Sequence, residues 1–280
     1  EAFHQNEQTS RTLEYAFDDF AVAQMAKLLA DSLEYQKNKG NLLSLDKKML
    51  LADYEQLMRR SENWRYVINP KTGWADGRHQ NRKWENNLDL VHRKSYITEG
   101  ATCHYTWYVP QNVEGLFQVI NNSGQNVITR LDRMFDEGLY WHGNEPCHQI
   151  AYLYNKAGAS WKTQQRIHHI LNTEYNDTPG GLSGNDDAGQ MSAWYMFSAI
   201  GFYPVCPATP YYYIGTPSFD KVTFNLENGR KFEIVAEGVD DENFYIQQVD
   251  LNGKSGYYLS HDDLLKGGKL SFRMGNTPKY

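Results

Sequence analysis

A change of pattern after Phe202 constrains the fold of this 280-residue chain more than any other feature. Before it, apolar residues recur at the three- and four-residue spacing of helices, as over 12–30 and 190–200. After it, prolines interrupt the helical pattern and short β-type runs follow. Helices followed by strands indicate a mainly α chain with a C-terminal antiparallel β region. We therefore expect a helical region over 1–203 and a β region over 204–280.

The same patterns place the individual elements. Further helices are predicted over 45–60, 113–120, 125–135, 146–154 and 160–171. Strands are predicted over 211–214, 221–226, 231–236, 245–251 and 269–274. The Asn-Gly pairs at 228–229 and 252–253 are each predicted to form a hairpin turn. The stretch 61–95 is polar, aromatic and irregular, which is typical of a long loop that is functional or packed over the core.

Composition excludes several classes of protein. The net charge is −6 and Lys and Arg form no dense run, so a nucleic-acid partner is not expected. No apolar stretch approaches the roughly 20 residues of a membrane span. The three cysteines lie far apart without CxxC spacing, which argues against a disulfide scaffold and a Cys-rich zinc site.

Carboxylates gather in turns between the predicted helices. Glu99 lies in one such turn, and Asp186 and Asp187 lie in another. Glycoside hydrolysis needs a pair of carboxyl groups, one as acid and one to activate water or attack directly. The alternative for each turn is a structural one, because acidic residues commonly cap helix N-termini. Asp18 and Asp19, inside the first helix, form a further candidate or simply a solvated face.

The turn at 142–148 suggests a cation site of a particular kind. His142 and His148 are six residues apart with Pro146 between them, which does not match the HExxH pattern of zinc proteases. Asn144 and Glu145 offer oxygen ligands, which suit a hard cation such as Ca²⁺. The alternative for the two histidines is hydrogen-bonded packing.

These motifs, in this order, resemble those of glycoside hydrolase family 92. The matching blocks are TLEYAFDDF (12–20), TEG (98–100), YTWYVP (105–110), HGNEP (142–146), GLSGNDDAGQMSAWY (181–195) and AIGFYPV (199–205). The resemblance implies an exo-acting, inverting, Ca²⁺-dependent α-mannosidase. It implies an N-terminal β-sandwich followed by an (α/α)6 barrel, of which this chain resembles only several later helices and the closing β strands.

The resemblance also implies partners and a location. The substrate would be a mannose-containing oligosaccharide or glycoprotein glycan. The chain would be a catalytic fragment, and the remainder of the parent polypeptide, with its β-sandwich, would complete the active site. The expected location is periplasmic, cell-surface or secreted, where Ca²⁺ is plentiful.

The resemblance also implies roles for the residues at the matching positions of this chain. Glu99 matches the general acid, and Asp187 matches the general base, with Asp186 beside it as a partner. Asn144 and Glu145 match the turn near the bound Ca²⁺. The expected substrate-binding residues are Asp18, Asp19, Trp107, His142 and Asn185. An inverting enzyme holds its two carboxyl groups roughly 6.5–9.5 Å apart.

The chain departs from the family pattern beside the acid. Where the family commonly has Asn-Ala-Trp-Gln, this chain has Ala101, Thr102, Cys103 and His104. The mannosidic linkage therefore stays open, and a mannosyl phosphodiester is an alternative substrate. Two further hypotheses are an inactive mannose-binding module on the same scaffold and an inverting hydrolase of another sugar.

Overall fold

The computed structural model describes residues 6–38, 46–85, 87–253 and 258–279. The chain divides into two compact units, Glu1–Gln125 and Asn126–Tyr280.

Long helices dominate the first unit. Helix α1 (Gln8–Asn38) contacts α2 (Lys47–Arg60), and the short helices α3 (Thr102–Tyr105) and α4 (Val113–Asn122) follow. The prediction over 12–30 is confirmed within the longer α1. The helix predicted over 45–60 begins at Lys47, where Asp46 accepts a hydrogen bond from the Lys48 amide at 2.8 Å. Leu45 lies outside the described residues.

The aromatic stretch after α2 is packed. It opens with the 3-10 helix Ser61–Tyr66 and continues through two isolated bridges, Ile68 with Ala75 and Arg78 with Trp84. Trp64 and Trp74 are both buried. The length of this loop is therefore explained by the core that it covers.

The second unit begins with helices. They are α5 (Val127–Asp136), α6 (Leu153–Lys156), α7 (Ser160–Thr173), α8 (Gln190–Ile200) and the later α9 (His261–Leu265). The prediction of a single helix over 146–154 is wrong. That segment forms two 3-10 helices, Glu145–Cys147 and Ile150–Tyr152, before α6. Hydrogen bonds to the third residue back, such as His148 N to Glu145 O, tighten this segment into 3-10 turns.

Within the residues that the structure describes, seven strands form two sheets. One sheet has the order β1 (Phe202–Tyr203), β2 (Tyr211–Ile214), β6 (Tyr258–Ser260), and is antiparallel. The other has the order β3 (Lys221–Asn225), β4 (Lys231–Glu237), β7 (Gly268–Gly275), β5 (Tyr245–Leu251). The prediction of an antiparallel region needs correction, because β4 and β7 pair in parallel. The chain between them is long enough for the crossover that parallel pairing requires.

Only the first of the two predicted hairpins forms. The turn at Asn228–Gly229 joins β3 to β4, which pair antiparallel. At Asn252 the chain also turns, but β5 pairs with β7 and β6 pairs with β2. The Asn252 side chain instead accepts a hydrogen bond from the Lys269 amide at 2.8 Å, so it bonds to the end of β7.

One apolar cluster draws side chains from both sheets. Phe202 and Leu259 come from the first sheet, and Phe232 and Phe272 come from the second. Phe197 and Ile200 of α8 pack against this cluster. The sheets therefore hold the helix that follows the candidate catalytic turn.

The change of secondary structure and the division into units fall at different places. Helices give way to strands between Ile200 and Phe202, close to the predicted boundary at 203. The contacts divide the chain at Gln125. The helix-rich character with a C-terminal β region is confirmed, and the division into domains 1–203 and 204–280 stays a prediction.

Candidate active site

Two motif-bearing turns of the second unit meet at a pair of glycines. A Cβ atom on Gly143 would lie 2.6 Å from the carbonyl oxygen of Ser183. A Cβ atom on Gly184 would lie 2.5 Å from the carbonyl oxygen of Gly143. Real side chains do not fit at such distances, so glycine is required on both sides. The turn that carries Asn144 and Glu145 is thereby held against the loop that carries Asp186 and Asp187.

A chain of hydrogen bonds fixes His142, the first residue of that turn. Tyr175 donates to the Met191 carbonyl at 3.1 Å, so its oxygen accepts from His142 Nε2 at 2.6 Å. The Tyr140 hydroxyl lies 2.7 Å from His142 Nδ1 and donates to it. Burial, with the neighbouring His148, lowers the pKa of His142 to about 2. His142 is buried and its two ring nitrogens are bonded to tyrosines, so a role in substrate binding stays a prediction.

Asn144 and Glu145 stand at the start of the 3-10 helix Glu145–Cys147. Asn144 is buried and Glu145 is half-buried, with its Oε1 atom inside the protein. The buried carboxylate oxygen of Glu145 and the side-chain amide oxygen of Asn144 are donors of the kind that hard cations prefer. Within the described ranges, no three His, Cys, Asp or Glu side chains cluster as a metal site. Since Ca²⁺ takes about six to eight oxygens, carbonyls, water or substrate hydroxyls would have to complete its shell.

Asp186 acts on the helix that follows it. Its carboxylate accepts from the Ser192 amide at 2.9 Å and from the Ser192 hydroxyl at 3.1 Å. These bonds satisfy an amide in the first turn of α8, which is the role of a helix N-cap. Asp186 thus has a structural function in this unit, and its catalytic role stays a prediction.

Asp187 differs from its neighbour in exposure and backbone. Its side chain is exposed, as is that of Asn185. Its φ angle is +44°, in the left-handed region, and that of Ala188 is +56°. Left-handed residues other than glycine are costly and cluster at functional sites. An exposed carboxylate on such backbone makes Asp187 a candidate for contact with a bound molecule.

Glu99 belongs to the first unit and shares these two properties. It is exposed, and its φ angle is +46°. The preceding Thr98 is anchored to the start of α1, because its amide donates to the Ser10 hydroxyl at 3.0 Å. Both candidate catalytic carboxylates are thus presented on strained backbone. The separation between Glu99 and Asp187 stays a prediction.

The aromatic run after Glu99 is part of the core of the first unit. Trp107 is fully buried. Tyr105 is also buried, and its hydroxyl donates to Glu14 Oε1 at 2.9 Å. Cys103, at the position where the family commonly has Trp, is buried as well, which raises the pKa of its thiol to about 12. Substrate contact by Trp107 therefore stays a prediction.

The two aspartates of α1 have different surroundings. Asp19 is buried and forms an ion pair with Arg60 of α2 at 2.9 Å. Asp18 is exposed, and partial burial together with the charge of Asp19 raises its pKa. The ion pair links α1 to α2, and only Asp18 presents its carboxyl to solvent. Substrate binding by either residue stays a prediction.

Several residues that shape the site were not predicted from the sequence. Tyr140 and Tyr175 hold His142, and Gln190 and Trp194 of α8 contact the His148 end of the same turn. Tyr175, Gln190 and Trp194 are distant in sequence from the residues that they contact, and no local pattern marks Tyr140, two residues before His142, as its hydrogen-bond partner. The paired glycines Gly143 and Gly184 offered a signal, since glycine inside a polar motif often marks a close backbone approach.

Known proteins of one family match this chain over almost all of its length. The family model described as the glycosyl hydrolase family 92 catalytic domain matches residues 1–276. This chain belongs to glycoside hydrolase family 92. A solved family 92 α-mannosidase of Bacteroides thetaiotaomicron is 39% identical, with a TM-score of 0.85 over 98% of this chain and 36% of its own. A family 92 inverting mannosidase of the same species is 32% identical, with a TM-score of 0.83 over 98% of this chain and 38% of its own.

A fungal relative completes the comparison. An uncharacterized secreted glycosidase of Arthroderma benhamiae is 26% identical over 95% of this chain and 35% of its own length. The chain thus spans little more than a third of the length of each of these three relatives. Across the described part of the chain, no helix has both the length and the apolarity needed to cross a bilayer.

Proposed function

We propose that this chain is the catalytic part of an exo-acting, inverting, Ca²⁺-dependent α-mannosidase that releases mannose from mannose-containing glycans. One observation carries the proposal: the contact between Gly143 and Gly184 holds the Asn144–Glu145 turn against the loop that presents Asp187. The proposed cation site on this turn, together with a neighbouring loop that carries an exposed carboxylate, suits the hydrolysis of a sugar bound by its hydroxyls. The bacterial relative named as an α-mannosidase supports α-mannoside cleavage, and the one named as an inverting mannosidase supports inversion.

In the proposed reaction, each carboxylate has one task. Asp187 accepts a proton from the water that attacks the anomeric carbon. Glu99 donates a proton to the oxygen of the departing group, so that group leaves as a neutral alcohol. Asn144 and Glu145 would hold Ca²⁺, which when bound would stabilise charge on the hydroxyls of the mannose ring. Asp186 holds the start of α8 and so fixes the loop that carries the base.

The rest of the proposal concerns the parent protein. We propose that the helices of this chain are part of an (α/α)6 barrel, completed by the remainder of a longer polypeptide with an N-terminal β-sandwich. A periplasmic, cell-surface or secreted location is proposed, supported by the fungal relative described as secreted. The unusual Ala101–His104 segment leaves the linkage open, with a mannosyl phosphodiester as the alternative substrate.

The test uses the complete polypeptide that carries this chain and a panel of α-linked mannobioses. Proton NMR follows the anomer that is released first, with and without a Ca²⁺ chelator. We expect β-mannose at first, its release abolished by chelation and restored by added Ca²⁺. Early α-mannose would contradict inversion, and release that resists chelation would contradict the Ca²⁺ requirement.

Two variants test the proposed acid and base. Glu99→Gln and Asp187→Asn each keep the size of the side chain and remove its proton transfer, so each should lower kcat by about 100-fold or more. Asp177→Asn, on an exposed loop of the second unit, is the matched control and should keep full activity. Mannose binding without product in the unsubstituted protein would favour the inactive binding module. Release of mannose from a mannosyl phosphodiester alone would favour the alternative substrate.

A further inference from the structure

His148 closes the turn that begins at His142. Its Nε2 atom lies 3.1 Å from the carbonyl oxygen of His142. A carbonyl only accepts, so Nε2 carries the proton and Nδ1 is free to accept. The imidazole thus joins the two ends of the segment that contains Asn144 and Glu145. His148 is 1% exposed, so it acts from inside the protein.

The same residue ties the turn to α8. The indole Nε1 of Trp194 donates to the His148 carbonyl at 2.9 Å. The side-chain amide of Gln190 donates to His148 Nδ1 at 3.4 Å. Both partners belong to α8, and Gln190 is its first residue. Backbone and imidazole of His148 are therefore both bonded to this helix.

Gln190 connects this link to the candidate base. Its backbone amide donates to the carbonyl oxygen of Asp187 at 3.2 Å, while its side chain contacts His148. Asp187 and Ala188 have left-handed backbone angles, which persist only where neighbouring contacts hold them. Hydrogen bonds thus connect the Asn144–Glu145 turn, through His148 and Gln190, to the backbone of Asp187.

We propose that His148 is a positioning residue, which through Gln190 sets the place of the Asn144–Glu145 turn relative to Asp187. The inference rests on the proposed function, because it assigns those two elements to one reaction. His148 itself touches no substrate. Misplacing a catalytic group by about 1 Å can cost about 100-fold in rate, so such a link is expected to affect kcat more than binding.

Three variants of the complete polypeptide test the link. Gln190→Met keeps the length of the side chain and removes its donor. His148→Phe keeps the ring and removes both imidazole bonds, whereas His148→Gln keeps a donor near the Nε2 position. The control is Gln164→Met, because Gln164 is buried, as His148 is, and its side chain accepts from the Ile246 amide at 2.9 Å, away from the two turns.

We expect kcat on the preferred mannobiose to fall about 10- to 100-fold in Gln190→Met and His148→Phe, with KM within about threefold. His148→Gln should recover part of this loss. The control should lose thermal stability to a similar degree and keep kcat within about twofold. A readout independent of activity is ¹⁵N NMR of the His148 ring, which should show a protonated Nε2 and an Nδ1 resonance that shifts in Gln190→Met.

The inference is overturned if Gln190→Met keeps kcat within twofold of the unsubstituted protein, or if its ring spectrum is unchanged. That holds even where His148→Phe fails to fold, since Gln190→Met leaves His148 in place and removes only the side-chain bonds of Gln190 to His148 and to the Tyr203 hydroxyl. Failure of the proposed function looks different, because the unsubstituted polypeptide would then release no mannose at all, and the inference would fall with it.

Discussion

At the scale of single residues, the backbone before α8 is the most demanding feature. Asp187, Ala188 and Gly189 have φ angles of +44°, +56° and +92°, three left-handed residues in succession. For Ala188 this conformation costs about 1–2 kcal/mol, whereas a glycine there would cost about 0.5–1 kcal/mol in backbone entropy. Ala188→Gly should therefore raise the free energy of unfolding by about 0.5–1 kcal/mol, measured by urea denaturation.

The control for this prediction lies five residues further on. Ala193 is exposed within α8, where glycine is unfavourable, so Ala193→Gly should lower the free energy of unfolding by about 1 kcal/mol. If Ala→Gly raises the free energy of unfolding at position 188 and lowers it at position 193, backbone strain at Ala188 is the cause. Destabilisation by both variants would show that the Ala188 position carries no strain that glycine relieves.

At the scale of elements, α8 depends on a cap from the preceding loop. Because Asp186 accepts from both the amide and the hydroxyl of Ser192, Asp186→Ala should lower the free energy of unfolding by about 1–2 kcal/mol. Asp186→Asn retains one acceptor and should lose less than half of that. Asp177→Ala, on an exposed loop, is the control and should change stability by less than about 0.5 kcal/mol. If Asp186→Ala were as stable as the control, the prediction that Asp186 caps α8 would be wrong.

Elements also show what a sequence can and cannot specify. The limits of α8 and of β2 are those predicted, because apolar spacing and the Gly201 stop are local signals. The parallel pairing of β4 with β7 escaped prediction, since partner choice depends on contacts distant in sequence. For the same reason the motifs identified Asp186 and His142 as site candidates, but not the bonds to Ser192 and Tyr175 that give them structural tasks.

At the scale of the whole molecule, mild acid should act on the two units in opposite directions. In the first unit, burial raises the pKa values of Glu14 and Asp76, so the folded form binds protons before the unfolded form does. Their contribution to stability is complete below the unfolded pKa values and is lost as pH rises through the folded ones. In the second unit, burial lowers the pKa values of His142, His148 and His168, and His168 also stacks on Phe244 at 4.0 Å. Their contribution is complete above the unfolded pKa values and is lost as pH falls.

Amide hydrogen exchange between pH 7 and pH 5, corrected for intrinsic rates and resolved by peptide, measures the two units separately. For the first unit, Glu14→Gln keeps an acceptor for the Tyr105 hydroxyl and removes the titration, so it should weaken the gain in protection on acidification. For the second unit, His168→Gln should weaken the loss of amide protection on acidification. Glu55→Gln, at an exposed site of α2, should leave both trends as they are. If Glu14→Gln instead deepened the pH dependence of the first unit, the buried carboxyl would have to be more acidic in the folded chain than in the unfolded one, contrary to its surroundings.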